Sequence, residues 1–198
     1  NSINLIDGVN GLAGVTTVII LLTLSKLAYM NDDYSNYYFS YLVIASILGF
    51  LLINWFTGSI FLGDAGAYLL GVILAFITCQ ILLKNNLSFF NILTLFAYPI
   101  WEITNSIIRR FYNNKKIISA DNKHLHSLIY NLVVNKFKKQ KSVIKNFLPT
   151  FFLFPLILIG PISSLLFNQK PQQLVLSFLL IYVLITLFYL YLCNKLKT

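Results

Sequence analysis

Six long apolar runs constrain this chain more than any other feature of its sequence. Each run is close to the ~20 residues that an α-helix needs to cross the hydrocarbon core of a bilayer. Of all residues, 58% are hydrophobic and only 11% are charged, which is not the composition of an ordinary soluble domain. The apolar runs cover approximately residues 9–30, 38–57, 65–83, 88–108, 146–167 and 173–193.

The predicted fold is therefore all-α: a polytopic integral membrane helical bundle with about six transmembrane helices. The connections between the runs are short, except for one predicted loop over residues 109–145. Because nothing between the runs is long enough to fold alone, we treat residues 1–198 as a single membrane domain. Membrane lipid is its first expected partner, and the sequence indicates no particular oligomeric state.

The basic residues are distributed unequally about the predicted spans. Of the 15 lysines and arginines, 12 fall on the side that holds the termini, the second connection and the loop 109–145, whereas Lys26, Lys84 and Lys170 fall on the other. An excess of Lys and Arg marks the cytoplasmic side of a membrane protein, so we predict that the termini and the long loop are cytoplasmic. The net charge of +9 does not indicate a nucleic-acid partner, because these charges flank membrane spans.

The connection over residues 58–68 carries Asp64 between two glycines, at the start of an apolar run. A carboxylate near membrane depth is costly, and it usually faces the bundle interior or water and marks a substrate or ion pathway. We interpret Asp64 as a metal-holding carboxylate for a substrate that bears phosphate. The alternative is an aspartate that caps a helix.

The first residues of the chain combine amides, a carboxylate and glycines. Asn4 and Asp7 are three residues apart and share a helix face, beside Gly8 and Gly11. This combination suits a nucleobase, a sugar or a metal-bound phosphate. It also suits a capped helix start with glycines that permit close helix packing, and the residues alone leave both interpretations open.

The two histidines of the chain, His124 and His126, both fall in the predicted loop 109–145. Two residues apart, they point the same way only in an extended segment. Beside Asp121 and Lys123, they are candidates to bind a pyrophosphate through charge-assisted hydrogen bonds. Solvated loop histidines are the alternative, and the spacing matches no recognised zinc site.

The remaining acids have different interpretations. Glu102 lies within the fourth apolar run, where an acid is by default functional or paired; its candidate partners are Arg109 and Arg110, and its role stays open. Asp32 and Asp33 fall in a connection on the opposite side from the motifs. We interpret these two aspartates as a solvated turn outside the site.

Taken in order, three motifs resemble the polyprenyl-phosphate sugar-1-phosphate transferases. That family includes undecaprenyl-phosphate N-acetylglucosamine-1-phosphate transferase and phospho-N-acetylmuramoyl-pentapeptide transferase. The motifs are N-x-x-N-x-x-D-G-x-N-G-L from Asn1, F-L-G-D-A-G-A from Phe61, and P-I-W-E followed by R-R and by A-D-N-K-H-L-H, which ends at His126. The resemblance covers residues 1 to about 130 in motif terms.

The resemblance implies a reaction. A sugar-1-phosphate would pass from a UDP-sugar, expected to be a UDP-N-acetylhexosamine, to undecaprenyl or another polyprenyl phosphate, with release of UMP and a requirement for Mg²⁺. This step would start a lipid-linked cell-envelope glycan at the cytoplasmic face of a bacterial inner membrane. By the same resemblance Asp64 is the Mg²⁺ ligand, and Asp7 and Asp64 are the catalytic residues. The expected substrate-binding residues are Asn1, Asn4, His124 and His126.

The physical chemistry of that reaction agrees with these residue types. A lipid phosphate that attacks a pyrophosphate brings several negative charges together, and Mg²⁺ with hydrogen-bonding side chains must offset their repulsion. The resemblance does not identify the sugar.

The chain departs from the family pattern in three respects. Many relatives have Asp where this chain has Asn10, and a further His where it has Ser127. The family's first spans and its adjacent pair of aspartates precede the first motif, so we expect either the C-terminal part of a longer protein or a truncated, non-catalytic relative or subunit. The rival of another class is a membrane transporter in which Asp7, Asp64 and Glu102 line an ion path.

Overall fold

A computed structural model describes residues 1–84, 87–112, 123–137 and 142–196, and within these ranges it contains helices and no strand. Five helical segments are long and apolar enough to cross a membrane, so the prediction of an all-α polytopic membrane bundle is confirmed. The helices are α1 (Ser2–Ile6), α2 (Leu12–Tyr29), α3 (Tyr34–Thr57), α4 (Gly63–Lys84), α5 (Phe89–Leu95), α6 (Ala97–Tyr112), α7 (Leu125–Lys136), α8 (Ser142–Leu166) and α9 (Pro171–Leu196).

Helix α2 forms the centre of the bundle. In its membrane-spanning window 83% of the residues are buried, against 28–39% in α3, α4, α8 and α9. Apolar residues surround α2 on all sides, as expected for a helix enclosed by protein, and α2 packs against α3, α4 and α8. The other four long helices therefore each keep an apolar face that is suited to lipid.

The helix connections bring all three motifs to the same end of the bundle. At this end α2 begins, α3 ends, α4 begins, and α6 ends. The short α1 packs against α4 and α6, and α7 packs against α8 and α9. We call this end of the bundle the motif end.

The fourth predicted span, residues 88–108, is not a single helix. Helix α5 ends at Leu95 and α6 begins at Ala97, with Phe96 between them. Pro99 lies in the first turn of α6 and has no N–H to donate to the carbonyl of Leu95, so the helical hydrogen-bond ladder is interrupted there. The bundle thus has five single-helix spans and one broken segment within the described residues.

The connection predicted over residues 109–145 is largely helical in its described parts. Helix α6 extends to Tyr112, and α7 occupies the middle of the supposed loop. The buried apolar residues of α7 recur at helical spacing and face the bundle. They are Leu125, Leu128, Ile129 and Val133. Asp121, which the sequence placed beside the histidines, lies outside the described residues.

Asp33 is not part of a solvated turn, so that prediction is wrong for this residue. Its side chain is 6% exposed, and its carboxylate accepts hydrogen bonds from the backbone N–H of Asn36 at 3.4 Å and from Nδ2 of Asn36 at 2.6 Å. Nζ of Lys84 lies 3.3 Å from Oδ1 of Asp33. Asp33 therefore caps α3 and ties the start of α3 to the end of α4, whereas Asp32 is exposed.

Candidate active site

Asp7 and Asp64 approach each other at the motif end. Asp7 is the residue that ends α1, and Asp64 lies in the first turn of α4. The pKa of Asp7 lies above its ordinary value: burial raises it, a hydrogen bond from the backbone N–H of Gly63 lowers it, and the negative charge of Asp64 raises it. The fold thus holds two carboxylates close enough to repel each other, an arrangement that a cation would stabilise.

These two carboxylates are a donor set that suits Mg²⁺. This ion prefers oxygen ligands, and proteins commonly hold it with one or two carboxylates while phosphates and water complete its coordination. Within the described ranges, no cluster of three or more His, Cys, Asp or Glu side chains is placed to hold a metal ion. The residues present therefore fit a metal whose remaining ligands come from a phosphate-bearing substrate.

Asn54 connects the segment that carries Asp7 to the segment that carries Asp64. Its side chain is buried, its Oδ1 accepts from the backbone N–H of Gly11 at 2.8 Å, and its Nδ2 donates to the carbonyl of Ile60 at 2.7 Å. Gly11 starts α2, and Ile60 lies three residues before Gly63. Both polar ends of this amide are thus used to hold the two motifs side by side.

Gly11 is required for this connection. Its φ is +80°, in the left-handed region that favours glycine, and a Cβ there would meet the ring of Trp55 at 2.7 Å. Trp55, which follows Asn54 in α3, therefore packs directly over the backbone of Gly11, whose N–H donates to Asn54.

Glu102 lies beside the two histidines. Nδ1 of His124 is 3.2 Å from Oε2 of Glu102, Nδ1 of His126 is 3.9 Å from Oε1, and the two imidazole rings are stacked with centroids 5.3 Å apart. The hydroxyl of Tyr98 also donates to Oε1 at 3.4 Å. The predicted partner Arg109 instead donates to the hydroxyl of Tyr189 at 3.1 Å.

Both histidines are buried, so the alternative of solvated loop histidines is wrong. They do point the same way, but they do so at the start of α7: His124 is its N-cap and His126 lies in its first turn. Burial lowers the pKa of His126 to about 4, the charge of Glu102 opposes this shift, and His124 adds to it. His126 is therefore neutral at pH 7, and the charge-assisted bond predicted from the sequence does not fit this residue.

His126 also contacts the first motif. Its Nε2 faces Gly8, where an added Cβ would collide with the imidazole ring. Gly8 directly follows Asp7, so the histidine motif packs onto the backbone of the carboxylate site.

Asn1 and Asn4 are placed by contacts with α4 and with a groove in the bundle. Nδ2 of Asn4 donates to the hydroxyl of Tyr68 at 3.3 Å. Asn1 and Tyr68 line one end of a groove of about 550 Å³ between α1, α4, α5 and α6. The rest of this groove is mainly apolar, with side chains that include Leu74, Phe96 and Pro99.

Two smaller cavities lie on the other side of Asp7. The first has a volume of about 110 Å³, and we call it the carboxylate cavity; the second has a volume of about 310 Å³, and we call it the amide cavity. The carboxylate cavity is lined by Asp7, Gly8, Val9, Asn10, Asn54, Phe61 and Asn146. The amide cavity is lined by Gly8, Val9, Ser127, Tyr130, Asn131 and Asn146.

Several of these residues were not identified from the sequence. Asn54 is a single amide within an apolar span, and that isolation is the signal that would have pointed to it. Phe61 and Tyr68 are close to Asp64 in the sequence, and no other sequence feature pointed to a role for them. Asn146 begins the fifth apolar run, and nothing in the local sequence connects it with Gly8.

Comparison with known proteins agrees with the motifs. Residues 1–82 match the model of glycosyl transferase family 4. A probable undecaprenyl-phosphate N-acetylglucosaminyl 1-phosphate transferase of Bacillus subtilis is 37% identical over 129 residues, which cover 64% of this chain and 36% of that protein. A phospho-N-acetylmuramoyl-pentapeptide-transferase of Streptococcus mutans is 37% identical over 78 residues, 39% of this chain and 23% of that protein.

These matches agree with the family predicted from the motifs: the first 82 residues carry glycosyl transferase family 4 sequence, and the chain is similar to the two transferases named above. The aligned part spans about a third or less of the length of these curated relatives. No solved structure matches the chain significantly.

Asn54→Ala should loosen the segment 58–62. Removing the amide leaves the N–H of Gly11 and the carbonyl of Ile60 without this partner, at a cost of about 1–3 kcal/mol for each group left buried. Hydrogen exchange measured by mass spectrometry should therefore become faster at Gly11 and across 58–62. Asn135→Ala, an exposed asparagine on α7, is the control; equal exchange in both variants would contradict the role of Asn54.

The low pKa of His126 predicts a pH dependence of stability. The folded ring takes up its proton only near pH 4, whereas an unfolded histidine does so near its ordinary value of 6.5. The unfolded chain thus binds more protons in this window, so the free energy of unfolding should fall as the pH drops from 6.5 towards 4.

Thermal unfolding of the protein in detergent across this pH range measures the effect. His126→Gln should flatten the dependence of the melting temperature on pH. An unchanged slope in His126→Gln would show that another group causes it.

Proposed function

We propose that this chain forms the membrane site of a transferase that moves a sugar-1-phosphate from a UDP-sugar to undecaprenyl or another polyprenyl phosphate. The observation that carries the proposal is the approach of Asp7 and Asp64 at the motif end of a membrane bundle. The expected donor is a UDP-N-acetylhexosamine, the released product is UMP, and the site faces the cytoplasm at a bacterial inner membrane. The names of the relatives support the two substrate classes.

The groove between α1, α4, α5 and α6 suits the lipid acceptor. Its apolar part offers a surface to a polyprenyl chain, and its polar end, at Asn1 and Tyr68, adjoins Asn4 on α1. A lipid phosphate at that end would be next to the segment that carries the carboxylates. Asn1 and Asn4 thus become candidate contacts of the acceptor phosphate.

The reaction at the carboxylates is a displacement at phosphorus. An oxygen of the acceptor phosphate would bond to the β-phosphorus of the UDP-sugar, and the bond between that phosphorus and the bridging oxygen would break. The bridging oxygen would leave with UMP, and the lipid would carry a diphosphate linked to the sugar. With the acceptor phosphate as its dianion the step balances without a proton transfer, and UMP leaves as a dianion.

Asp7 and Asp64 are the residues that would hold Mg²⁺. When bound, Mg²⁺ supplies Lewis-acid stabilisation of the charge that develops on the phosphoryl oxygens. The stacked histidines and Glu102 support the site from behind Gly8, and neutral His126 contributes by packing rather than by charge.

The transporter alternative is less favoured by this geometry. Transport sites in secondary transporters usually lie near the bilayer midplane, whereas Asp7 and Asp64 meet at one end of the bundle. Glu102, the third acid in that alternative, lies beside His124 and His126.

Release of UMP from UDP-N-acetylglucosamine, with undecaprenyl phosphate and Mg²⁺, tests the proposal on the purified chain in detergent. We expect Asp64→Asn to lower the rate by roughly 100-fold or more, because the metal-assisted stabilisation is lost. Asp32→Asn makes the same chemical change at an exposed position at the far end of the bundle and should leave the rate unchanged.

Two outcomes would contradict the proposal. Equal rates in the wild type and in Asp64→Asn would remove Asp64 from the reaction. A folded chain that releases no UMP would favour a non-catalytic relative or subunit instead.

Gly71→Phe should weaken the use of the lipid acceptor. Gly71 lines the groove, and a Cβ there meets no atom within 4 Å, so an aromatic side chain would enter the groove without a backbone clash. The KM for undecaprenyl phosphate should rise about 10-fold, as expected for the loss of buried apolar contact, while the KM for the UDP-sugar stays unchanged.

Gly49→Phe is the matched control. Gly49 lies on the exposed face of α3 and also has no atom within 4 Å of an added Cβ. A rise in KM of the same size in both variants would show that the groove does not hold the acceptor.

A further inference from the structure

The amide cavity has a lining that differs from the rest of the site. Its side-chain polar groups are the hydroxyl of Ser127, the phenol of Tyr130 and the amides of Asn131 and Asn146, with no charged side chain among the lining residues. Such a surface suits a neutral ligand rich in hydroxyl and amide groups. A phosphate would instead favour cationic donors.

Asn146 is the polar side chain that this cavity shares with the carboxylate cavity. It projects from the first turns of α8 and is partly buried. Across the described ranges its amide makes no hydrogen bond, in contrast with Asn54, whose amide is used at both ends. Asn146 therefore has a donor and an acceptor available to a ligand next to Asp7.

The two cavities suit different parts of a UDP-sugar. Its sugar is attached to the β-phosphate and its nucleoside to the α-phosphate, so the two groups extend from the diphosphate at different points. The carboxylate cavity is small and is lined by Asp7, so it suits the diphosphate beside the proposed metal. The amide cavity, about three times larger, is left for the sugar.

We propose that the amide cavity binds the sugar of the donor, and that Asn146 determines specificity by hydrogen bonding to a hydroxyl or acetamido group of that sugar. This inference rests on the proposed function, because it takes a UDP-sugar as the donor. Asn146 acts on binding of the sugar and leaves binding of the UDP part unchanged. A site that hydrogen-bonds a substrate group rejects analogues without that group.

Equilibrium binding of UDP-N-acetylglucosamine, UDP-glucose and UDP to the detergent-purified chain, with Mg²⁺ present, tests this inference without using activity. The wild type should bind UDP-N-acetylglucosamine more tightly than UDP. Asn146→Ala should weaken binding of the UDP-sugar about 10-fold, the size expected for one well-placed hydrogen bond. Its affinity for UDP should stay within about twofold of the wild type, which also shows that the variant is folded.

Matched variants complete the design. Asn135→Ala removes an exposed amide from α7, outside both cavities, and should change neither affinity. If Asn146→Ala does not fold, Asn146→Ser makes a smaller change at the same position. Comparing UDP-N-acetylglucosamine with UDP-glucose shows whether the acetamido group is the one that Asn146 contacts.

The outcomes separate this inference from the function on which it rests. A wild-type chain that binds neither the UDP-sugars nor UDP would overturn the proposed donor and this inference together. If the wild type binds them and Asn146→Ala weakens UDP as much as the UDP-sugar, Asn146 contacts the nucleotide and the inference is overturned. Unchanged binding in both Asn146 variants would overturn it as well, while the proposed function would stand.

Discussion

The hydrogen bonds of one buried amide decide where the two carboxylates of this protein lie. Asn54 joins the backbone of Gly11 to the backbone of Ile60, so the segment that precedes Asp64 stays beside the segment that follows Asp7. Both bonds are short; the one to Gly11 is buried and the one to Ile60 is partly buried, so the first is the more costly to break. The amide thus connects the two segments across the carboxylate site.

The surroundings of the carboxylates are held by packing more than by charge. His126 is buried and neutral at pH 7, and its imidazole fills the space over Gly8. Glu102 lies beside both histidines and orients the ring of His124 through a contact of 3.2 Å to its Nδ1. A site arranged in this way keeps its polar groups in place before a substrate arrives, which is the condition under which electrostatic stabilisation is most effective.

The sequence predicted most of the helices but few of the contacts between them. Long apolar runs specify spans directly, but they do not show whether a proline kinks a helix or ends it. The break at Phe96, before Pro99, was therefore missed. Asp33 was misinterpreted because its partner, Lys84, is remote in sequence. The three motifs do meet at one end of the bundle, as the predicted topology required. Asn146 was not predicted, because its place beside Gly8 follows from the packing of α8.

Metal binding tests the central claim, that Asp7 and Asp64 form one cation site, most directly. Mn²⁺ is a spectroscopic substitute for Mg²⁺ with the same preference for oxygen ligands, and its binding to the purified chain can be followed by electron paramagnetic resonance. We predict saturable binding of one Mn²⁺ per chain, displaced by Mg²⁺ and weakened by either Asp7→Asn or Asp64→Asn. Binding that neither substitution changes would contradict the account.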